Sequence, residues 1–392
     1  MATISEQDAR ALGFDPSRLV RVSERIKQDI DDERCHGANL IVARRGEIVL
    51  DLTEGYADRG ANKPLQRDSV FATMSVAKQF TNVLALSLVE RGLLNLHAPI
   101  AELIPEFGNL GKEKVNLYHL LTQTSGVMSA IPPVAPEILL NLDKLLEYAC
   151  GLPLESQPGE RVNYSILLGH SIIAALCVRV DGKGRRYADM LKEDVFEPLG
   201  MHDTNLGLRD DLADRFCPVK VSYDNIPALL PPAAVEAIGE LLKVPGGELP
   251  GGGCVTTVHD VNRFAEMLRR GGEIDGSRIL SPAMIDFCTR NHTSDLRNIL
   301  FDMWRGTRNW VEYPANVGCG FFMRGEGNLP GIFSVMNSPR TFGGVGSGST
   351  CFTVDPERDL TFAFLCTGLM EDSYHFERLG TLATLVLAAM TD

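Results

Sequence analysis

The sequence predicts an α+β sandwich, in which both termini build one antiparallel β-sheet, helices flank that sheet, and a mostly helical domain is inserted between the two sheet-forming parts. Three observations predict this fold. Residues 37–58 and residues 351–368 each have the apolar, β-branched composition of two strands joined by a turn, and the chain between them is dominated by helical patterns. Since the two strand pairs lie near opposite ends of the chain, one sheet has to draw on both.

The individual elements follow in chain order. The first strand pair turns at Arg45-Gly46, and the second turns within Asp355-Pro356-Glu357-Arg358-Asp359. Residues 81–92 predict a helix that stops at Gly92. Residues 377–390, at the other end of the chain, have helical composition as well.

The middle of the chain carries the inserted domain. Apolar residues recur there every three or four positions, which predicts helices over 138–150, 166–180 and 185–196. From about Ser222 to Cys254, clusters of Pro and Gly predict loops. We therefore assign residues 1–98 and 250–392 to the sheet domain and residues 99–249 to the inserted domain, with 205–249 as a loop-rich substrate region.

Composition excludes several classes of function. The 392 residues carry a formal net charge of −13, so a nucleic-acid partner is not expected. The chain has neither a basic, apolar leader nor an apolar stretch long enough to cross a bilayer, which favours a cytoplasmic protein without a membrane partner. The nine cysteines form no C-x-x-C pair and the eight histidines no H-x-x-x-H pair, so we expect free thiols and no metal site.

One short motif carries candidate chemistry. Ser75 is followed three positions later by Lys78, and a helix that begins near Ser75 places both on one face, one turn apart. A serine hydroxyl needs a neighbouring base to become a nucleophile, and a lysine can be that base only when it is neutral. Its ordinary pKa of ~10.4 falls in apolar surroundings. The neighbours of Lys78 in the sequence are apolar: Phe71, Met74, Val76, Ala77 and Phe80.

Further blocks accompany this motif. Tyr164 precedes a helical segment, the strand entry at 342–346 is Phe-Gly-Gly-Val-Gly, and two more blocks lie at 119–127 and 249–268. In order and spacing, the chain resembles the serine β-lactamase and penicillin-binding-protein superfamily over roughly residues 35–390. It is most similar to the class C-like branch that includes the family VIII carboxylesterases.

The resemblance implies a role for each matching residue. Ser75 would be the acylated nucleophile, Lys78 would accept or share its proton, and Tyr164 would act as partner base and acid. The backbone N–H groups of Ser75 and Val345 would form the oxyanion hole. The strand residues expected to line the substrate site are Phe342, Gly343 and Gly344. No cofactor or metal is implied, and His119 and His170 are interpreted as structural residues.

Two departures from the superfamily pattern bear on the substrate. The chain has Tyr164-Ser165-Ile166 where penicillin-recognising members have Tyr-x-Asn, and its strand carries Phe342 where they have Lys or His. The missing cation removes a partner for a substrate carboxylate, although Arg340 is two residues away. Both departures favour neutral esters.

The sequence therefore predicts a serine carboxylesterase that acts on small-molecule esters. It leaves three alternatives open: an acyltransferase on the same scaffold, a β-lactamase or D-amino peptidase, and a non-catalytic relative that binds ligands in an inherited pocket. The oligomeric state also stays open.

Overall fold

The computed structural model describes residues 6–224, 228, 230–293 and 296–392. The strands in this part of the chain are β1 Gly37–Arg44, β2 Glu47–Asp58, β3 Lys63–Pro64, β4 Phe71–Ala72, β5 Arg161–Val162, β6 Asn205–Leu206, β7 Cys254–Thr256, β8 Glu273–Ile274, β9 Ser277–Arg278, β10 Arg297–Asn298, β11 Phe322–Met323, β12 Phe342–Gly346, β13 Thr350–Asp355 and β14 Leu360–Thr367.

The α-helices are α1 Glu6–Ala11, α2 Pro16–Asp31, α3 Ala77–Glu90, α4 Leu117–Leu121, α5 Pro136–Leu139, α6 Leu142–Cys150, α7 Leu168–Val180, α8 Tyr187–Leu191, α9 Pro232–Leu241, α10 Val258–Arg269, α11 Pro282–Cys288, α12 Asp302–Arg308 and α13 Asp372–Ala388. Short 3₁₀ turns lie at Met74–Val76, Ile100–Glu102, Pro105–Phe107 and Asp210–Arg215, and a π-helical turn lies at Lys192–Phe196.

The main sheet has seven strands in the order β11-β12-β13-β14-β1-β2-β3. Every neighbouring pair in it is antiparallel. β1, from the first half of the chain, pairs with β14 from the second, so that Leu40 lies opposite both Phe364 and Leu52. The sheet is thus built from both ends of the chain, which confirms the predicted fold class.

Helices cover both faces of the sheet, because each face presents an apolar row. α2 and α13 pack on one face, where Val22 and Leu379 are fully buried with Leu40. α3 and α10 pack on the other face, where the Phe80 ring meets the Phe264 ring edge-on at 4.8 Å between centroids. The layer formed by α3 and α10 positions the candidate site, since α3 directly follows the turn that contains Ser75.

The observed elements also correct two predictions. The helix predicted over 138–150 is two helices, α5 and α6, because the Asn141 side chain accepts a hydrogen bond from the Lys144 N–H and caps α6 as a separate helix. α9 lies in the region predicted to be loop, where Pro232 occupies the first turn and Val235 is buried. Residues 225–227 and 229 of that region lie outside the described residues.

The predicted division at residues 99 and 249 stays a prediction. In the described part of the chain, no helix combines the length and the apolar composition needed to cross a bilayer.

Candidate active site

Ser75 lies in the 3₁₀ turn Met74–Val76 at the start of α3. The preceding residue, Met74, has φ 47°, in the left-handed region that costs energy for a residue with a side chain. The flanking chain holds this conformation: the Thr73 N–H donates to the Cys254 carbonyl at 2.9 Å, and the Thr350 hydroxyl donates to the Thr73 carbonyl at 2.7 Å. β7 and β13 therefore fix the turn that presents the Ser75 hydroxyl.

Gln79 supports the same turn from within α3. Its side chain is buried, and with the amide oriented to donate, Nε2 lies 3.2 Å from the carbonyl oxygens of both Ser75 and Val76. Both carbonyls therefore accept a hydrogen bond from the Gln79 side chain. Gln79 is thus a positioning residue for Ser75.

Lys78 is buried next to Ser75, as the three-residue spacing predicts. Its side chain is 1% exposed, and its Nζ donates to Ser75 Oγ at 3.0 Å and to the Gly251 carbonyl. Burial lowers the pKa of Lys78 from 10.5 to about 7, and no other group contributes to the shift. A large fraction of this amine is therefore neutral at pH 7 and able to accept a proton.

Tyr164 completes a cluster of three around the Ser75 hydroxyl. Its ring centroid is 5.0 Å from Lys78 Nζ. Burial raises the pKa of Tyr164 above its usual value, and hydrogen bonding with Ser75 opposes part of that rise. The phenol stays protonated at neutral pH, so it is a proton donor next to a neutral amine.

The loop that carries Tyr164 is anchored on both sides by Gln123. The Asn163 N–H donates to the Gln123 carbonyl at 2.9 Å, and the Ser165 N–H donates to Gln123 Oε1 at 3.3 Å. The Tyr164 ring itself stacks on the Phe322 ring, with 6.4 Å between centroids. The position of the phenol thus depends on residues far apart in the sequence.

β12 lies across the turn that carries Ser75. An added Cβ at Gly344 would be 2.4 Å from the Gln79 side chain, and one at Gly346 would be 2.4 Å from the Thr73 carbonyl. Glycine is needed at both positions because β12 approaches α3 and its preceding turn so closely. Val345 lies between these two glycines on β12, and the predicted part of its N–H in the oxyanion hole stays a prediction.

One edge of β12 is only partly covered by its neighbour β11. Among the described residues, β11 pairs with β12 only at Phe342 and Gly343, so no strand covers Val345 on that edge. The Phe342 ring is 2% exposed and packs on Phe321 with 5.4 Å between centroids. Gly343 abuts the Phe352 carbonyl. The contacts predicted between the substrate and Phe342, Gly343 and Gly344 stay predictions.

The remaining polar candidates have hydrogen-bond or ion-pair partners of their own. The exposed Arg340 side chain pairs with Asp286 at 3.2 Å, so it does not replace the missing strand cation. His170 is buried with Nε2 3.1 Å from Asn82 Oδ1, and burial together with Lys78 holds its pKa well below the usual value. His119 caps α4 through Asn116. His170 also lines the small cavity that contains Lys78 and Tyr164, and the structural role predicted for both histidines stays a prediction.

Four supporting residues were missed by sequence reasoning. Gln123 and Gly251 lie in blocks that the superfamily resemblance singles out, so that resemblance was a usable signal. Gln79 and Phe322 have no signal of their own, because their roles depend on how β12 and the segment before β11 pack.

Comparison with known proteins identifies the family of the chain. The Beta-lactamase family model matches residues 22–383. The chain belongs to the beta-lactamase family. This family membership confirms the resemblance and makes the protein a serine hydrolase of the β-lactamase fold.

Individual proteins are similar to much of the chain. Esterase EstB of Burkholderia gladioli is 31% identical over 299 residues, which cover 68% of this chain and 74% of EstB. A penicillin-binding-protein homologue from Caulobacter crescentus superposes with a TM-score of 0.78 at 25% identity, covering 96% of this chain and 98% of the homologue. A family VIII carboxylesterase has a TM-score of 0.75 at 21% identity, covering 94% and 97%, and shares the fold.

Proposed function

We propose that the protein is a serine carboxylesterase that hydrolyses small to medium neutral carboxylic esters through an acyl-enzyme on Ser75. One observation carries the proposal: a buried Lys78 amine with a pKa of about 7 lies 3.0 Å from the Ser75 hydroxyl. The similarity to a relative named as an esterase supports the choice of substrate class.

The proposed reaction begins at Ser75. The neutral Lys78 amine accepts the hydroxyl proton as Oγ attacks the ester carbonyl, and the N–H groups of Ser75 and Val345 stabilise the resulting oxyanion. Removal of one such donor typically costs ~10²–10³ in rate. Collapse of the tetrahedral species breaks the bond to the alcohol, which leaves with the Tyr164 proton, and Lys78 returns a proton to the phenolate. Water then repeats the sequence on the acyl-enzyme and releases the acid.

The substrate is proposed to be neutral, because the two positions in or near β12 that could supply a cation for a carboxylate do not offer a free one. The strand position that carries Lys or His in penicillin-recognising members is Phe342, and Arg340 is paired on the surface. An anionic substrate would lose its water without gaining a charged partner.

We also propose a cytoplasmic location and a small-molecule ester as the partner. All nine cysteines are free and buried, which suits a reducing compartment. Subcellular fractionation with an antibody to the native protein tests the location, and recovery of the protein outside the cytosolic fraction would contradict it.

The function is tested by labelling with a fluorophosphonate probe and mapping the modified peptide, beside a panel of p-nitrophenyl acyl esters. We expect modification of Ser75 and turnover of the esters, and loss of both in Ser75→Ala. Ser87→Ala is the matched control, because the Ser87 hydroxyl lies on the same helix and donates to the Leu84 carbonyl at 2.7 Å. Modification of another serine would overturn the site assignment.

Two additional substrates separate the alternatives. Faster acyl transfer to an added alcohol than to water would indicate an acyltransferase. Turnover of a chromogenic cephalosporin in preference to the esters would indicate a β-lactamase. Labelling of Ser75 without turnover of any substrate would indicate a binding protein.

A further inference from the structure

An apolar cleft opens beside the proposed reacting groups. Its empty space, counted together with open solvent at its mouth, is about 540 Å³, and its walls include Tyr313, Phe322, Leu329, Ile332, Phe333 and Val345. Several of these side chains are only partly buried. Partly exposed apolar and aromatic side chains that line one concavity are typical of a ligand site.

Two of the walls connect the cleft to the reaction. The Phe322 ring stacks on the Tyr164 ring, and Val345 is the proposed second oxyanion donor. Phe322 also lines the small cavity that contains Lys78 and Tyr164. The cleft and the cavity that contains Lys78 and Tyr164 therefore share the Phe322 ring as a wall.

The side chains that line the cleft favour an aromatic group. The cation in its lining is Arg324, whose guanidinium donates to the carbonyls of Gly325 at 2.7 Å and Val335 at 2.9 Å. The aromatic walls are ordered by stacking, since the rings of Tyr313 and Phe301 lie 5.3 Å apart with an interplanar angle of 17°. An aromatic substituent can stack on such rings.

The segment that forms the cleft is attached to the strand before Tyr164. β10 pairs with β5, and the Ile299 N–H donates to the Val162 carbonyl at 3.1 Å. The Asn298 side chain in turn donates to the Tyr313 carbonyl at 3.0 Å. Filling the cleft therefore acts on the same stretch of chain that positions the phenol.

We propose that this cleft binds an aromatic substituent of the ester, so that the preferred substrates are neutral esters with an aromatic ring in the acyl or the alcohol part. This inference rests on the proposed esterase function and adds the substrate class to it. Because the ring packs against Phe322, its binding energy supports the placement of Tyr164 and appears in kcat as well as in KM.

Two substrate series test the inference by kcat/KM. The acyl series compares methyl phenylacetate with methyl acetate, and the alcohol series compares benzyl acetate with methyl acetate. We expect the wild type to prefer the aromatic member of at least one series. Phe333→Ala should reduce that preference by about tenfold or more. Its turnover of the small esters should stay within about twofold.

A blocking variant and a control complete the design. An added Cβ at Gly331 meets no atom of the described residues within 4 Å, so Gly331→Phe can place a ring in the cleft region and should lower turnover of the aromatic esters only. Tyr313→Phe is the control, because the Tyr313 hydroxyl has no hydrogen-bond partner among the described residues. It should keep the aromatic preference. An unchanged preference in both cleft variants would overturn the inference.

A binding measurement separates this outcome from failure of the proposed function. If the wild type hydrolyses none of the esters, the esterase proposal fails. The cleft is then tested by calorimetric titration of Ser75→Ala with 2-phenylacetamide. Binding that weakens about tenfold or more with the added Phe333→Ala change supports the cleft, and equal or absent binding in both proteins rejects it.

Discussion

The acid limb of the pH–rate profile depends on the burial of Lys78. At its ordinary pKa of 10.5 only about one amine in 3,000 is neutral at pH 7, whereas the pKa of about 7 in this structure leaves about half of it neutral. Burial thus raises the population of the base by roughly 1,500-fold. With a pKa of about 7, Lys78 is mostly neutral above pH 7 and mostly charged below it. Activity should therefore be present above pH 7 and lost below it.

The expected profile follows from that population. We expect kcat/KM for a p-nitrophenyl ester to be constant above about pH 8 and to fall tenfold for each pH unit below about 6.5, reaching roughly 100-fold below the plateau at pH 5. Lys78→Arg replaces the amine by a guanidinium that cannot release its proton. This variant should lose about 10²–10⁴-fold in kcat/KM and should have no such limb.

Asp372 provides the necessary control. Burial raises the pKa of this carboxyl to about 7 as well, and its two oxygens accept hydrogen bonds from the Gly348 N–H at 3.0 Å and the Ser347 hydroxyl at 3.2 Å. Asp372→Asn removes that titration and should leave the limb in place. A limb that disappears in Asp372→Asn, or that persists with the same midpoint in Lys78→Arg, would refute the assignment to Lys78.

Three further changes test separate parts of the account. Tyr164→Phe keeps the ring that stacks on Phe322 and removes the proton donor, so kcat should fall about 10²–10⁴-fold with little change in KM, as steady-state kinetics would show. Gly346→Ala should lower both Tm and kcat because β12 has no room for a side chain there, whereas Gly331→Ala, in open space, should change neither. Lys78→Met should raise the free energy of unfolding by about 1–3 kcal/mol at pH 7 in urea titrations. Because the folded-state pKa lies below the unfolded one, this gain should shrink as the pH rises from 7 toward 10.5.

Local geometry made part of the site predictable. Ser75 and Lys78 are three positions apart at the start of a helix, and the helical repeat alone brings their side chains together. The apolar neighbours of Lys78 also predicted its burial. Tyr164 is 86 positions further along the chain from Lys78, so only the resemblance to a known superfamily could connect it to Ser75.

The residues that support the site depend on tertiary packing. The contact between Gly344 and Gln79 exists because β12 crosses the beginning of α3, which no local pattern specifies. The stacking of Phe322 on Tyr164 likewise depends on how residues 310–333 fold over β12. α9 was missed for a different reason: the Pro and Gly residues around it dominate the composition of a region that still contains ten helical residues.

The central claim is that Lys78 carries a displaced pKa while it lies against Ser75. The most direct measurement is an NMR titration of protein labelled with ¹³C at lysine Cε, with the Lys78 resonance assigned by its absence from Lys78→Arg. We expect this resonance to titrate near pH 7, well below the other lysines. A Lys78 midpoint near the ordinary lysine value would mean that the amine stays charged, and the proposed activation of Ser75 would then be wrong.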